Sequence, residues 1–502
     1  MSASLKLILA ASGALAAYLA WRSLGWPLIH DAPLMHYIAW VIGQGGVPYR
    51  DVFDMNLPGV YLIHGAVIGL LGGGDLAWRL FDLGWLAATG ALLWVYARPL
   101  GAGPARAGAL LFALYHLSGG AWRVGQRDFL LCLFLIAGAY GVARSIERGG
   151  ALGPLVWGGL ALGIGMTVKP HAGVFWLGAA ALAGWGAWRG NRSPLAAPGT
   201  VLAAGLVAPA LVFGWLGWRG GFGPFVAVFT GYVVPLYSHV GRVPLWQAFG
   251  DYRFGWALWG LLAILALLGL STPAPGVEAR KAVAGLGAVS GALHYALQGK
   301  GWEYQLYPLA VFLCALVPFA LRRLSVAAWE RHGHPSMPLR FPGLRRVAAL
   351  VLFAATAMVL GAKGVDALEQ PWIADKARRV AALTRDLAPR VPPGATVQVM
   401  DVTEGGVHAL WSLGLRQPTR FIYDFHFFHD TGDARIVALR EEFVADLAGH
   451  VPAAIVVLRD TWNRPGYERL ADWPEVLRLL ARSYGLGVEG NGYRIYVKRA
   501  DS

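Results

Sequence analysis

About eleven runs of apolar residues, most of them close to 20 long, recur along this chain, and nothing else in it narrows the choice of fold so far. A helix needs about 20 predominantly apolar residues to cross a hydrocarbon core. By that rule the candidate spans are 5–28, 76–97, 104–120, 127–146, 152–168, 171–188, 196–218, 254–271, 281–298, 304–323 and 345–363. Only 14% of the 502 residues are charged, against about 25% in a soluble domain. The pattern predicts a polytopic α-helical membrane protein. The 22 tryptophans suit such a chain, because indole rings anchor at headgroup level.

The net charge of +14 does not point to nucleic acid, since the basic residues are scattered between apolar runs. Charge at span ends is a topology signal instead. Cys132 and Cys314 both fall inside apolar segments, which implies neither a disulfide framework nor a thiolate metal site. The first run has one basic residue near its start, Lys6, and carries Trp21-Arg22 where a signal peptide would have a small-residue cleavage site. It is longer than the roughly 7–15 apolar residues of a signal peptide, so an uncleaved span is expected.

The shorter apolar run Pro58–Leu71 is cut off from the next span by Gly72-Gly73-Gly74-Asp75. If it lies in the membrane surface and the N-terminus is cytoplasmic, the inner loops hold Arg98 and Arg106, Arg144 and Arg148, Arg189 and Arg192, Arg280 and Lys281, and a run from Arg322 through Arg346. That obeys the positive-inside rule in every inner loop; a full crossing would invert them all. The expected location is the plasma (inner) membrane, with a first outer loop, 29–75, carrying two surface helices. One is expected over Pro33–Gly43 with Asp31 as its N-cap, and the other to start at Pro58.

Beyond about Gly364 charged residues become frequent. Val397–Val402, Thr419–Phe425 and Ala453–Leu458 read as strands, and Ala434–Ala448 and Trp473–Tyr484 as helices. Leu486–Val497 reads as a hairpin turning at Asn491-Gly492. The expected division is a membrane part, 1–363, and a soluble C-terminal α/β domain, 364–502, outside the membrane. No internal repeat is evident.

Two stretches of the first outer loop carry the chemistry. One is His30-Asp31-Ala32-Pro33-Leu34-Met35-His36-Tyr37; the other runs from Gly46-Val47-Pro48-Tyr49-Arg50-Asp51 through Asp54-Met55-Asn56-Leu57-Pro58-Gly59-Val60-Tyr61. In order and spacing they resemble the first outer loop of the GT-C membrane glycosyltransferases, in the branch of the protein mannosyltransferases and aminoarabinose transferases. Arg79, Gln126-Arg127-Asp128, Thr167-Val168-Lys169 and Lys300-Gly301-Trp302-Glu303-Tyr304 also stand where that branch has similar residues, so the resemblance covers roughly 5–325. Two positions depart from it: Ala32 stands where many members carry a second acidic residue, and Leu57-Pro58-Gly59 replaces a double proline.

The resemblance implies a GT-C fold, a donor sugar on a polyprenyl phosphate, and Asp31 as the base. Chemistry agrees with that inventory. An acceptor hydroxyl attacking an anomeric carbon needs a general base, which a partly desolvated carboxylate supplies. The departing phosphate needs no proton, only positive charge where its negative charge grows. Arg79, Arg123, Arg127, Lys169, Arg242, Arg253 and Lys300 fall on or near the outer side against the positive-inside trend. Basic groups at such depths are costly unless paired or functional. Lys169 and Lys300 are the preferred phosphate contacts, with Arg123 and Arg127 next. Salt bridges to Asp51, Asp54, Asp128 or Glu303 are the plainer alternative. Tyr49, Asp54 and Tyr304 complete the expected substrate-binding set, although Tyr304 equally suits an interfacial aromatic belt.

His30, His36, His64, His171 and His239 share the outer side with Asp31. No pair has the i, i+4 spacing of strong zinc motifs, so no metal ligands are assigned and a divalent metal stays an open alternative. The expected function is inverting sugar transfer from a polyprenyl-phosphate carrier to an extracytoplasmic acceptor. The rivals are a lipid flippase or transporter, which the missing repeat disfavours, and a non-catalytic scaffold in envelope assembly.

Overall fold

The computed structural model describes residues 3–250, 252, 254–322, 342–462 and 464–500. Arg253 and the stretch 323–341 of the expected basic inner loop lie outside the described residues. The helices are α1 (Ala3–Arg22), α2 (Asp31–Gly43), α3 (Pro58–Leu71), α4 (Asp75–Ala97), α5 (Ala102–Leu117), α6 (Arg127–Glu147), α7 (Leu152–Val168), α8 (Ala172–Arg189), α9 (Ala196–Trp218) and α10 (Phe222–Val228). They continue with α11 (Gln247–Gly250), α12 (Gly255–Leu270), α13 (Glu278–Gln298), α14 (Tyr307–Ala320), α15 (Pro342–Ala367), α16 (Pro371–Leu387), α17 (Gly406–Leu413), α18 (Ala434–Gly449) and α19 (Pro474–Ser483).

Each of the eleven apolar runs carries a helix. Six helical segments among the described residues are long and apolar enough to cross a membrane. The others fall short for physical reasons. Helices α7 and α12 have only 17 and 16 residues, and α13 begins with the charged Glu278-Ala279-Arg280-Lys281.

The chain forms two compact units, and they cut across the expected boundary at 364. The first comprises Met1–Trp26, Arg79–Leu211 and Arg242–Glu369; the second comprises Pro27–Trp78, Val212–Gly241 and Gln370–Ser502. In the first unit α14 is the central helix: 94% of the span Glu303–Ala320 is buried, against 22% of Ala196–Trp218. Lipid gives no hydrophobic reward for helix pairing, so close contact comes from small residues. A Cβ on Gly141 of α6 would lie 2.5 Å from the Pro154 carbonyl oxygen and 2.8 Å from Gly158 Cα.

The second unit is built on a four-stranded sheet in the order β1-β2-β4-β3, with β1 Val397–Met400, β2 Ala454–Leu458, β3 Tyr484–Gly490 and β4 Tyr493–Lys498. The β1–β2 pair is parallel and the others antiparallel. The β3–β4 hairpin turns at Asn491-Gly492, with Gly492 at φ 86. Thr419–Phe425 is not a strand. Its Phe421 forms an isolated bridge with Phe53, and the Phe53 N–H donates to the Arg420 carbonyl at 2.7 Å. The segment thus extends its pairing to the first loop instead of to the sheet. One hydrophobic core runs through this unit, including Tyr37, Tyr49, Phe53 and Tyr61 of the first loop, Tyr232, and Phe421, Phe443 and Trp473. The first loop and the C-terminal residues therefore share a core.

Two local readings of the first loop differ. Helix α3 starts with Pro58 in its first turn after an extended Leu57, as proline geometry demands. Helix α2, in contrast, begins two residues before Pro33. His30 takes a left-handed backbone (φ 63) ahead of it, so Asp31 is its first residue instead of its cap. A carboxylate in that first turn suits the helix dipole.

Candidate active site

The connection between α5 and α6 is the hub of the first unit's polar residues. Its Gly125 N–H donates to Asp82 Oδ1 at 2.8 Å. The other oxygen of Asp82 takes Arg79 and, at 2.8 Å, His116 Nε2, whose Nδ1 meets the Tyr307 hydroxyl at 2.8 Å. Arg123 of the same connection is buried against Glu303, which also binds Lys363. Gly119 makes room for it, since a Cβ there would lie 2.0 Å from Arg123 Cδ. Asp128, the second residue of α6, is buried and joins Lys169 Nζ at 2.6 Å and His294 Nε2 at 2.5 Å. Gln298 Nε2 donates to it at 3.3 Å, and Gln298 Oε1 in turn accepts from Gln305 Nε2 at 2.9 Å. Buried charges persist only when paired and hydrogen-bonded, and each of these carboxylates has at least two donors.

Tyr304 adjoins this belt, with the rings of Trp122 and Trp302 at 5.7 and 5.6 Å and Lys169 Nζ 6.0 Å from its own ring centre. Arg127, half-buried, opens α6. Lys300 lies in the turn between α13 and α14. It lies between two left-handed glycines, Gly299 (φ 63) and Gly301 (φ 71), a conformation glycine adopts without steric cost. The Val243 N–H donates to the Gly299 carbonyl at 2.9 Å, which pins Arg242 beside this turn. The Arg242 Nε is so close that a Cβ on Gly299 would lie 2.9 Å from it. Lys300 is buried, and burial together with the Arg242 charge lowers its pKa to about 8. The Lys300 ammonium is thus partly desolvated and set near a second cation.

The remaining sequence candidates belong to the second unit. Asp31 is half-buried at the start of α2. Its neighbours His30 and Pro33 line a narrow cleft with Lys376, Thr403 and His408. Asp54 is fully buried and accepts both oxygens' worth of bonds from within the loop: Asn56 Nδ2 at 3.0 and 2.9 Å, and the Tyr61 hydroxyl. The Tyr49 hydroxyl donates to the Asn56 carbonyl at 2.6 Å, and its backbone is left-handed (φ 66). Burial pushes both tyrosine hydroxyls well above their ordinary pKa, so they act as neutral donors. Asp54 and Tyr49 thereby fasten the loop.

Among the described residues no three His, Cys, Asp or Glu side chains gather as a metal-binding group. His36 and His64 meet each other, Nδ1 to Nδ1 at 2.9 Å, and His171 lies against His294. Asp82, His116, His294 and Lys363 escaped the sequence reading. An ionisable residue inside an apolar run is a signal in its own right, and each of the four lies in or beside one.

Residues 57–218 match the dolichyl-phosphate-mannose-protein mannosyltransferase family. The structure of ArnT from Cupriavidus metallidurans bound to undecaprenyl phosphate aligns with 99% of both chains at 16% identity and a TM-score of 0.58. Its apo state aligns over 98% of each at 15% identity and 0.59. The fold is that of the GT-C membrane glycosyltransferases. The Archaeoglobus fulgidus oligosaccharyltransferase in its apo form matches 99% of this chain and 74% of its own, at 12% identity and 0.51. No protein of curated function matches by sequence. With this fold and its apolar helices, the chain is a multi-pass membrane protein.

Proposed function

We propose that this GT-C chain is an inverting glycosyltransferase that moves a sugar from a polyprenyl-phosphate carrier to an extracytoplasmic acceptor. The observation that carries the reading is the end-to-end likeness to a transferase structure holding undecaprenyl phosphate. The Lys300–Arg242 pair adds a receptor for the carrier phosphate. In the transfer the acceptor oxygen bonds to the anomeric carbon as the bond from that carbon to the phosphate oxygen breaks. The acceptor's proton passes to the Asp31 carboxylate, and the phosphate leaves with its negative charge facing cations that are in place beforehand. Residues 1–363 form the membrane part of the enzyme, and the α/β part, 364–502, lies outside the membrane and docks the acceptor.

A radiolabelled polyprenyl-phosphate sugar incubated with the purified protein tests the reading. Sugar release or transfer is expected from the wild-type chain. The Asp31→Asn variant, with donor binding retained, is expected to be slower by about 10²–10⁴-fold, the usual cost of losing a general base. A wild-type protein that binds the donor without turnover would favour a flippase or scaffold. The orientation is tested separately: cysteines placed at Ser238 and Arg148 are expected to label from the outer and the inner side, respectively.

A further inference from the structure

The far end of the first unit holds a cavity that sugar transfer does not use. Helix α5 runs from Ala102 to Leu117, and the polar belt with Asp82, Arg123 and Asp128 gathers at its C-terminal end. Helix α14 runs the other way, from Tyr307 near the belt to Ala320. The cavity, of about 400 Å³, lies where α5 starts and α14 finishes. Sixteen residues of helix separate its two ends, a rise of roughly 24 Å. The cavity and the belt are therefore at opposite ends of α5, and α5 taken as a span puts them toward opposite faces of the membrane.

Its lining joins two chemistries. Leu5, Leu100 and Leu350 supply apolar wall, and Arg106, Arg322 and Arg346 supply three positive charges. Among the described lining residues none is acidic. Arg322 Nη1 is buried without a hydrogen-bond partner among the described residues, a costly state for a guanidinium unless a ligand completes it. The first turn of α5, Gly101 to Pro104, lines the same space and adds the positive end of a 16-residue helix dipole. An anion with hydrocarbon attached satisfies all of these surfaces, while a bare anion leaves the leucines uncovered. Basic pockets between spanning helices are where phosphate headgroups bind.

We infer that this cavity binds the phosphate headgroup of an anionic membrane lipid, in the leaflet opposite the proposed transfer site. The inference does not need the chain to be a transferase, and on the orientation proposed above that leaflet is the inner one. Dioctanoyl phosphatidic acid, dioctanoyl phosphatidylcholine and inorganic phosphate, each titrated against the full-length protein in neutral detergent, make the test, read by thermal unfolding and native mass spectrometry. Phosphatidic acid is expected to bind in a one-to-one complex and to raise the melting temperature by a few degrees, and the other two to do neither. The Arg322→Gln/Arg346→Gln variant is expected to lose about 10- to 100-fold in affinity for phosphatidic acid. An equal shift with phosphatidylcholine would reduce the cavity to an apolar filling site and overturn the inference. An equal shift with inorganic phosphate would overturn it in favour of a free anion. Undiminished phosphatidic acid binding by the double variant would do the same, and the wild-type titrations decide the question even if that variant fails to fold.

Discussion

Two regions at the same end of the first unit hold lysines in opposite ways. Lys169 points its ammonium at Asp128, which is shared with His294 and Gln298 inside a closed network. Lys300 sits on a turn of two left-handed glycines with a second cation, Arg242, pinned beside it. The first arrangement has spent its charge on holding helices α6, α7 and α13 together. The second holds like charges close, and burial with the Arg242 charge lowers the lysine's pKa. Residues that look alike in a sequence thus differ in their surroundings, one lysine bonded to a buried carboxylate and the other set beside a second cation.

The largest expected effect breaks the first region. Asp128→Ala removes the carboxylate from a half-buried lysine and a buried histidine, and stripping one partner from a buried pair typically costs about 3–5 kcal/mol. A thermal scan of the purified variant is expected to show a large drop in melting temperature, and an unchanged midpoint would show that the network contributes little. Next comes the contrast between the lysines themselves. Lys300→Ala is expected to weaken binding of a short-chain polyprenyl phosphate by roughly 10- to 100-fold, the equivalent of one or two charge-assisted hydrogen bonds. Lys169→Ala is expected to lower stability and leave donor affinity within about threefold. Equal losses of affinity would erase the distinction.

The smallest effect is a pH dependence that sharpens it. The protonated ammonium is the form that attracts phosphate, and the donor's phosphodiester does not titrate near neutrality. Affinity is therefore expected to be level below pH 8 and to fall by at most tenfold per unit as pH rises through about 8, where Lys300 loses its proton. Lys300→Arg is expected to abolish the fall, because a guanidinium stays charged. Isothermal titration between pH 6.5 and 9.5 reads both curves.

The helices were legible in the sequence because hydrocarbon leaves no other choice: each apolar run had to satisfy its own backbone hydrogen bonds. The start of α3 at Pro58 and the turn at Asn491-Gly492 were legible for local steric reasons. What joins distant segments was not. Nothing in Phe53 or Phe421 alone announces that they pair, and the alternating pattern of Thr419–Phe425 suggested a strand because burial on both sides looks the same whichever partner provides it. In the candidate site, the residue types and their general end of the molecule were legible. The pairings were not, because Asp128 with Lys169, or Arg123 with Glu303, is a choice made by helix packing.

The α5–α6 connection also has a consequence for how the chain is made. Arg123 leaves the ribosome 180 residues ahead of Glu303, and Asp128 precedes His294 by 166. At about 5–20 residues per second, roughly 10–40 seconds pass before those partners emerge. Through that interval the early spans carry charges that their own half of the chain cannot fully neutralise. These pairings are completed only when α13 and α14 arrive. A chain interrupted just before Glu303 would be left holding Arg123 without the carboxylate that meets it in the folded protein.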